Sequence, residues 1–331
     1  MALLIGMDEA GYGPNLGPLI VGATAWEIPG DPRQIDLWQA FAGIVDQGVP
    51  TDDSHIQIAD SKQVYSPARG IQNLGQGVLR ALALHRHCAL GGDTEPSQSG
   101  TAAIDLLSFK KLCGQVGISA VTELDSEPWF AGADLSLPAT PRDTLTNRWQ
   151  ERCQSGQIRL RAVRADVVLT RRFNEHTRAT DSKGRALSEI SMSLLRRVWD
   201  ECSAADHDDV LILADKHGGR NRYHDFLPIV FDDRFIRCLN ESQEQSRYRV
   251  GNAEVRFETK SERHLPVALA SMVCKYLREL AMNLFNRFWT DRQPGLKPTA
   301  GYPNDAVRFK AEIEALQQQL GITDDVLWRQ R

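Results

Sequence analysis

The chain begins with an apolar run, Leu3 to Met7, that ends in two adjacent carboxylates, Asp8 and Glu9, and then in the turn Gly11-Tyr12-Gly13-Pro14. An apolar pentad closed by glycine and proline reads as a short buried strand. A second apolar run, Leu19 to Trp26, follows Pro18 and reads as its neighbour. The two open a sheet and put Asp8 and Glu9 at a strand's carboxyl end. Successive residues on a regular strand face opposite ways, so both acids are expected to reach one site only if the strand distorts at Gly11. Carboxylates in such a place suit a hard divalent cation.

Beyond this start, apolar positions recur at helical spacing from about Ile71 to His87, from about Lys183 to Cys202, and from Pro266 to about Trp289. Pro266 fits a first helical position. Ile158 to Leu169 reads as a strand or hairpin, and Val210 to Ala214 as a central strand buried on both faces. Tyr248 to Phe257 reads as a hairpin around Gly251-Asn252. The stretch from about Cys88 to Ser155 mixes Gly, Ser, Thr, Pro and acidic residues around one short helical segment near Ile104 to Cys113, and reads as an insertion. Strands followed by helices in this order predict an α/β domain.

With 331 residues the chain can bury a sizeable core. No apolar run approaches the roughly 20 residues that span a bilayer, and the first residues lack a basic signal-peptide region, so a cytoplasmic protein is expected. The six cysteines contain no C-x-x-C pair, which argues against a zinc site or a disulfide framework. A net charge of -4 leaves no global basic footprint, so any nucleic-acid contact must rest on a local patch.

Three places set carboxylates at the edge of regular structure: Asp8-Glu9, Asp215 after the Val210 strand, and Glu258 to Glu262 before the Pro266 helix. Taken alone, Asp215 also reads as a turn or cap residue. Adjacent carboxylates such as Asp8 and Glu9 repel each other unless a cation joins them. Glu262 has a rival role in a capping box with Thr259, but a helix begun there would carry Pro266 in its interior. If the acids converge, they form a donor set for two divalent ions about 4 Å apart, able to activate water against a phosphodiester.

These elements together resemble the type 2 ribonucleases H (ribonucleases HII and HIII and the eukaryotic H2 catalytic subunit). Ile5-Gly-Met-Asp-Glu-Ala-Gly-Tyr-Gly-Pro14 is similar to the D-E-A-G-R-G-P signature, and Asp60-Ser61-Lys62 to the D-S-K element. Leu211 to Asp215 resembles the strand ending in the third catalytic acid. Glu258 to Glu262 with Val267 to Lys275 resembles the T-K-A-E element and following helix of the HIII branch. Gly301-Tyr302-Pro303-Asn304-Asp305 resembles the G-Y-P-x-D loop, whose Tyr packs at the RNA-DNA junction.

The resemblance implies a ribonuclease H-like α/β fold, with a mixed central sheet flanked by helices and a helical carboxyl-terminal section. It divides the chain into a catalytic domain over 1–290, with the insertion at about 88–155, and a loop and helical extension over 291–331. It implies a monomeric, metal-dependent endonuclease acting on the RNA strand of RNA-DNA hybrids. Asp8, Glu9, Asp215 and Glu262 would be catalytic and bind Mg²⁺ or Mn²⁺, with Glu258 a lesser candidate for the fourth acid. Gly11, Tyr12, Gly13, Ser61, Lys62, Lys260 and Tyr302 would contact nucleic acid. Lys216, Arg220, Arg222, Arg256, Arg263, His264 and Lys275 would add local positive charge, though Arg220 and Arg222 read equally as solvated surface. Tyr12 stands where the family carries Arg, a change at the turn that approaches the ribose 2'-hydroxyl. Other readings are a nuclease of the same fold acting on DNA or branched substrates, and a non-catalytic member that binds hybrids or a protein partner through the insertion.

Overall fold

The computed structural model describes residues 1–50, 54–89, 108–117, 119, 121–138 and 143–330. Seven strands form the main sheet: β1 (Ala2–Ala10), β2 (Leu19–Ile28), β3 (Arg159–Val168), β4 (Val210–Asp215), β5 (Arg237–Glu241), β6 (Gln245–Val250) and β7 (Ala253–Glu258). Their order is β3-β2-β1-β4-β7-β6-β5. β1 pairs parallel with β4, and β4 parallel with β7, while the β1-β2, β2-β3, β7-β6 and β6-β5 pairs are antiparallel. The expected mixed sheet flanked by helices is therefore the fold. Every residue of β2 is buried, because that strand lies inside the sheet with helices packed over both faces.

The main helices are α1 (Gln72–Ala89), α2 (Phe109–Val116), α3 (Thr144–Ser155), α4 (Thr170–Thr180), α5 (Lys183–Glu201), α6 (Leu265–Thr290) and α7 (Pro303–Gln319). Strand alternation sorts the core into two layers. Leu4, Ile20, Leu211 and Leu213 face α6 through Val267, Met272 and Val273. Leu3, Ile5, Met7, Ile212, Val255 and Phe257 face α5 through Leu187, Ile190, Leu194 and Val198. The approach of α6 to β1 is so close that a Cβ on Gly6 would stand 2.3 Å from the Pro266 carbonyl carbon.

The predicted strands and helices are present, and several differ in detail. Ile158 to Leu169 is one strand, not a hairpin, and α6 begins one residue before Pro266. The segment expected near Ile104 to Cys113 is a helix from Phe109, with 104–107 outside the described residues. The 88–155 stretch is not irregular chain where it is described, since it carries α2, α3 and a short helix over Val121–Leu124. Its aromatics reach the common core. Trp149 lies 6.3 Å from Trp26 and 5.8 Å from Phe41, and Trp129 lies 4.9 Å from Phe285, centroid to centroid. Helix α4 and strand β5 were not predicted. Among the described residues no helix is long and apolar enough to cross a membrane.

Candidate active site

Parallel pairing of β1 with β4 sets the site. The last paired residues are Met7 and Ala214, so Asp8 and Asp215 follow at the same level on adjacent strands. Both share the alternation of Leu4 and Leu213, which face α6, and Ser271 of that helix bonds the Asp8 carboxylate. Ser271 Oγ also lies 3.0 Å from Ser61 Oγ, tying the start of the short helix Ser61–Val64 to the same spot. The Asp8 backbone is held from behind, where Cys274 Sγ donates to its carbonyl at 3.3 Å. The Glu9 amide donates to Asp8 Oδ1 at 2.8 Å.

Asp215 receives two bonds from one residue: Ser261 N and Oγ donate to its Oδ1 at 3.3 and 3.1 Å. Ser261 opens a 3-10 turn, Ser261–Arg263, that carries Glu262 and precedes α6. Lys260 before it has a left-handed backbone, φ 58°, and an exposed side chain. On the other side, Asp60 caps the Ser61–Val64 helix by accepting from Lys62 N at 3.0 Å.

Strand β1 does not distort ahead of Gly11. β1 pairs regularly with β2 through Ala10, and the chain turns only at Gly11, φ 90°. Glu9 nevertheless shares the field of Asp215, whose charge raises its pKa.

The electrostatics tie four acids from three segments into one group. Burial and then repulsion by Glu9 push the Asp8 carboxyl well above its usual range, despite the Ser271 bond. Burial and the charges of Asp215 and Glu262 raise Glu9, against the pull of Lys62. Asp215 is raised by burial, with the Ser261 bonds opposing. Glu262 is raised by burial and by Asp215 and Asp60. Lys62 is the counter-charge: burial opposes its ammonium, yet Asp60, Glu262, Asp8 and Asp215 hold its pKa above the ordinary value. All four carboxylates resist ionisation here, with burial the first cause in each.

Glu258 is placed differently. It sits in register with Asp215, but its carboxylate is taken by Arg263, Gln245 and, at 3.1 Å, His264 Nε2. Although burial opposes its charge, those partners hold its pKa below the usual value. As placed, no group of three or more His, Cys, Asp or Glu side chains among the described residues could hold a metal ion. The donor chemistry still fits a hard cation, being all carboxylate oxygen.

The glycine turn lies beside the acids. A Cβ on Gly11 would meet Arg278 Nε at 2.4 Å, and one on Gly13 would meet the Tyr302 ring at 3.9 Å. Asn15 N donates to Gly301 O at 2.8 Å, joining this turn to the loop before α7 and setting the 54% exposed Tyr302 next to Gly13. Tyr12 has Lys183 Nζ 4.7 Å from its ring centroid. Its hydroxyl and Arg220 Nη2 both lie 3.6 Å from where a Cβ on Gly184 would stand. Burial and then Glu9 raise its phenol, while Arg220 opposes that shift. Two cations thus stand around Tyr12.

Sequence reading missed Lys183, whose only signal was its place at the start of the predicted helix. Lys216 was expected to add local positive charge. Lys216 is instead buried, its Nζ donating to Asn221 Oδ1 at 2.7 Å and Ser242 O at 2.6 Å. Arg256 and Lys275 are likewise engaged, with Glu254 and Glu279.

Fold and site together define a mixed α/β protein with an acidic cluster at the carboxyl edge of two adjacent parallel strands. No protein-family model matches the chain, and no curated protein matches it. Among solved structures it is similar to ribonuclease HII from Archaeoglobus fulgidus in complex with PCNA, at 13% identity over 99% of this chain and 94% of that one, TM-score 0.39. Ribonuclease H2 from Pyrococcus horikoshii OT3 is similar at 15% identity over 98% and 92%, TM-score 0.44. Bst ribonuclease HIII in complex with Mn²⁺ is similar at 16% over 99% and 66%, TM-score 0.39. All three are type 2 ribonucleases H. What this chain does with its carboxylates has to be read from its own residues.

Proposed function

We propose that this chain is a divergent type 2 ribonuclease H, a metal-dependent endonuclease that hydrolyses the RNA strand of RNA-DNA hybrids. The observation that supports the reading is the shared field of Asp8, Glu9, Asp215 and Glu262: burial comes first in raising each of them, a neighbouring acid adds to the rise of Asp8, Glu9 and Glu262, and Lys62 is the offsetting cation. A binding module gains nothing from clustered carboxylates beside phosphate.

Those four acids would hold Mg²⁺ or Mn²⁺. The bound ions supply the activation of water and the stabilisation of the leaving oxygen, giving 3'-hydroxyl and 5'-phosphate ends. The chain's residues orient the rest. Ser261 fixes one Asp215 oxygen, Oδ1, by two hydrogen bonds. Ser271 fixes Asp8 from α6. Lys62 lies within the field of the acids and offers a cation to a backbone phosphate, as Lys183 and Arg220 do beside Tyr12. The backbone of Gly11 to Gly13 and the ring of Tyr302 form an uncharged wall suited to a sugar and a base edge.

The test is cleavage of a labelled RNA-DNA hybrid with Mg²⁺ or Mn²⁺, run beside an all-DNA duplex. Hybrid-specific cleavage that Asp8→Asn abolishes is expected. Undiminished cleavage by that variant sinks the site assignment, and equal cleavage of the all-DNA duplex sinks the substrate assignment.

A further inference from the structure

The glycine turn is held from beneath by a residue more than three hundred positions downstream. Arg329 is 0% exposed. Its Nη2 donates to both Gly11 O and Pro14 O. Its backbone N donates to Asn15 O at 2.8 Å, and its carbonyl accepts from Asn15 Nδ2 at 3.1 Å. One residue therefore makes four hydrogen bonds to the turn. Helix α4 holds the same segment from the other side: Asn174 Nδ2 donates to Trp328 O at 2.9 Å, and Asn174 Oδ1 accepts from Gln330 N at 2.8 Å. The Arg329 guanidinium also lies 5.2 Å from the Phe173 ring centroid.

A packing role alone explains this residue poorly. Burial and the Arg278 guanidinium both oppose the charge of Arg329, with Glu127 as the offsetting acid. Its Nε and Nη1 are buried with no hydrogen-bond partner among the described residues. A buried cation is costly, and an apolar side chain of similar volume would fill the space more cheaply. What an apolar side chain would not do is draw two backbone carbonyls inward.

Peptide planarity gives that pull a consequence. In a trans peptide the carbonyl and the following N–H point in opposite directions. Turning Gly11 O toward Arg329 turns the Tyr12 N–H away from the core. Turning Pro14 O inward turns the Asn15 N–H the other way, onto Gly301 O, where the structure has it.

We propose that Arg329 is a positioning residue which, by holding the Gly11 and Pro14 carbonyls inward, presents the Tyr12 amide outward as a donor to the ribose-bearing strand. The assignment of that strand as ligand rests on the nuclease reading above; the clamp on the turn does not. Arg329 is itself too deeply buried to touch substrate, so its effect is on recognition.

Three variants test this: Arg329→Gln, Arg329→Lys and Asn174→Ala, the last loosening the segment without altering the guanidinium. Amide hydrogen exchange without substrate reads the clamp directly. In Arg329→Gln, exchange in a peptide covering residues 10–16 is expected to speed up about tenfold or more, the loss of charge-assisted bonds, while β4 is unchanged. KM for the hybrid is expected to rise by a similar factor with kcat nearly unchanged, the signature of lost uniform binding. Arg329→Lys, still a cation able to donate, should recover part of both shifts. Unchanged exchange in the turn of folded Arg329→Gln overturns the clamp, and so does a rise shared equally by β4, which marks a general structural role. A loss of kcat at constant KM overturns the recognition role. Should Arg329→Gln not fold, Asn174→Ala decides, with faster exchange in the turn expected and unchanged exchange overturning the clamp. If the wild type cleaves no hybrid, the nuclease reading fails while exchange still decides the clamp.

Discussion

Glu258 and Glu262 lie four residues apart, yet the structure gives them opposite electrostatic characters, and so opposite responses to neutralisation. Glu258 is held ionised by His264, Gln245 and Arg263, so Glu258→Gln removes a satisfied charge and leaves its partners unpaired. Because Arg263 is half-exposed, the expected loss is moderate, roughly 1–3 kcal/mol of unfolding free energy. Glu262 faces Asp215 and Asp60, and its charge is a burden in the metal-free fold. Glu262→Gln should leave the metal-free protein equally or more stable while cutting hybrid cleavage by about 100-fold, the scale of losing one charge-stabilising group. Chemical denaturation beside single-turnover cleavage reads both effects. If Glu258→Gln is the variant that loses chemistry at full stability, the fourth acid is Glu258.

At the scale of elements, the contact of β1 with α6 ties the fold to the site. Gly6 lies against Pro266 and Val267, and a Cβ there would meet backbone at 2.3 and 2.4 Å. Neither atom belongs to a flexible side chain, so Gly6→Ala must displace the first turn of α6, and Ser271 with it. A loss of roughly 1–3 kcal/mol is expected, with a fall in cleavage beyond what the remaining folded fraction explains. Wild-type melting and cleavage in this variant would show that α6 is not held by β1. The same contact shows what was legible in the sequence. β1, β2, β4, α5 and α6 carry continuous or periodic apolar residues, and periodicity is what the chain displays most openly. Helix α4 was hidden because, apart from Phe173, its buried residues are Thr170, Asn174 and Thr177, so burial follows a face that composition calls polar. Strand β5 was hidden because all five residues are exposed, leaving no alternation. The 109–155 segments enter the core through short elements, with Phe109 and Leu112 on α2, Trp129 and Phe130 in a turn and Trp149 on α3, each too brief to display a clear period. Of the candidate site, the carboxylates could be named because they follow strand ends. Lys183 beside Tyr12 and Arg329 beneath the turn could not, since only the folded chain brings them there. Lys216 was misread because a lysine after a strand-end Asp does not reveal that its side chain turns into the protein.

For the whole molecule, four raised carboxylates make stability depend on pH and on metal with a definite sign. Each of Asp8, Glu9, Asp215 and Glu262 keeps its proton to higher pH folded than unfolded. Below the ordinary carboxylate range, near about 4, both states are protonated and the groups cost nothing. As pH rises past it the unfolded chain ionises first, so the native state binds more protons and stability falls until the folded groups ionise too. His217 works the other way, since burial pulls it to about 3 and the fold gains as pH climbs toward the ordinary imidazole range. Glu127, raised to about 7 by burial, falls in the same interval. The comparison is therefore best made from about pH 7 to 8.5, above the imidazole range and below thiol ionisation. Metal-free wild type should lose melting temperature across that window, because Glu9 is raised to about 8 and ionises there in the folded state, and Glu9→Gln should lose less because that acid is gone. Mg²⁺ or Mn²⁺ should reverse the loss in the wild type, by about 2.7 kcal/mol at 100 times its dissociation constant, and much less in Glu9→Gln. Melting temperatures that rise with pH without metal, or that ignore metal in both proteins, would leave the cluster without the shared field from which its chemistry was inferred.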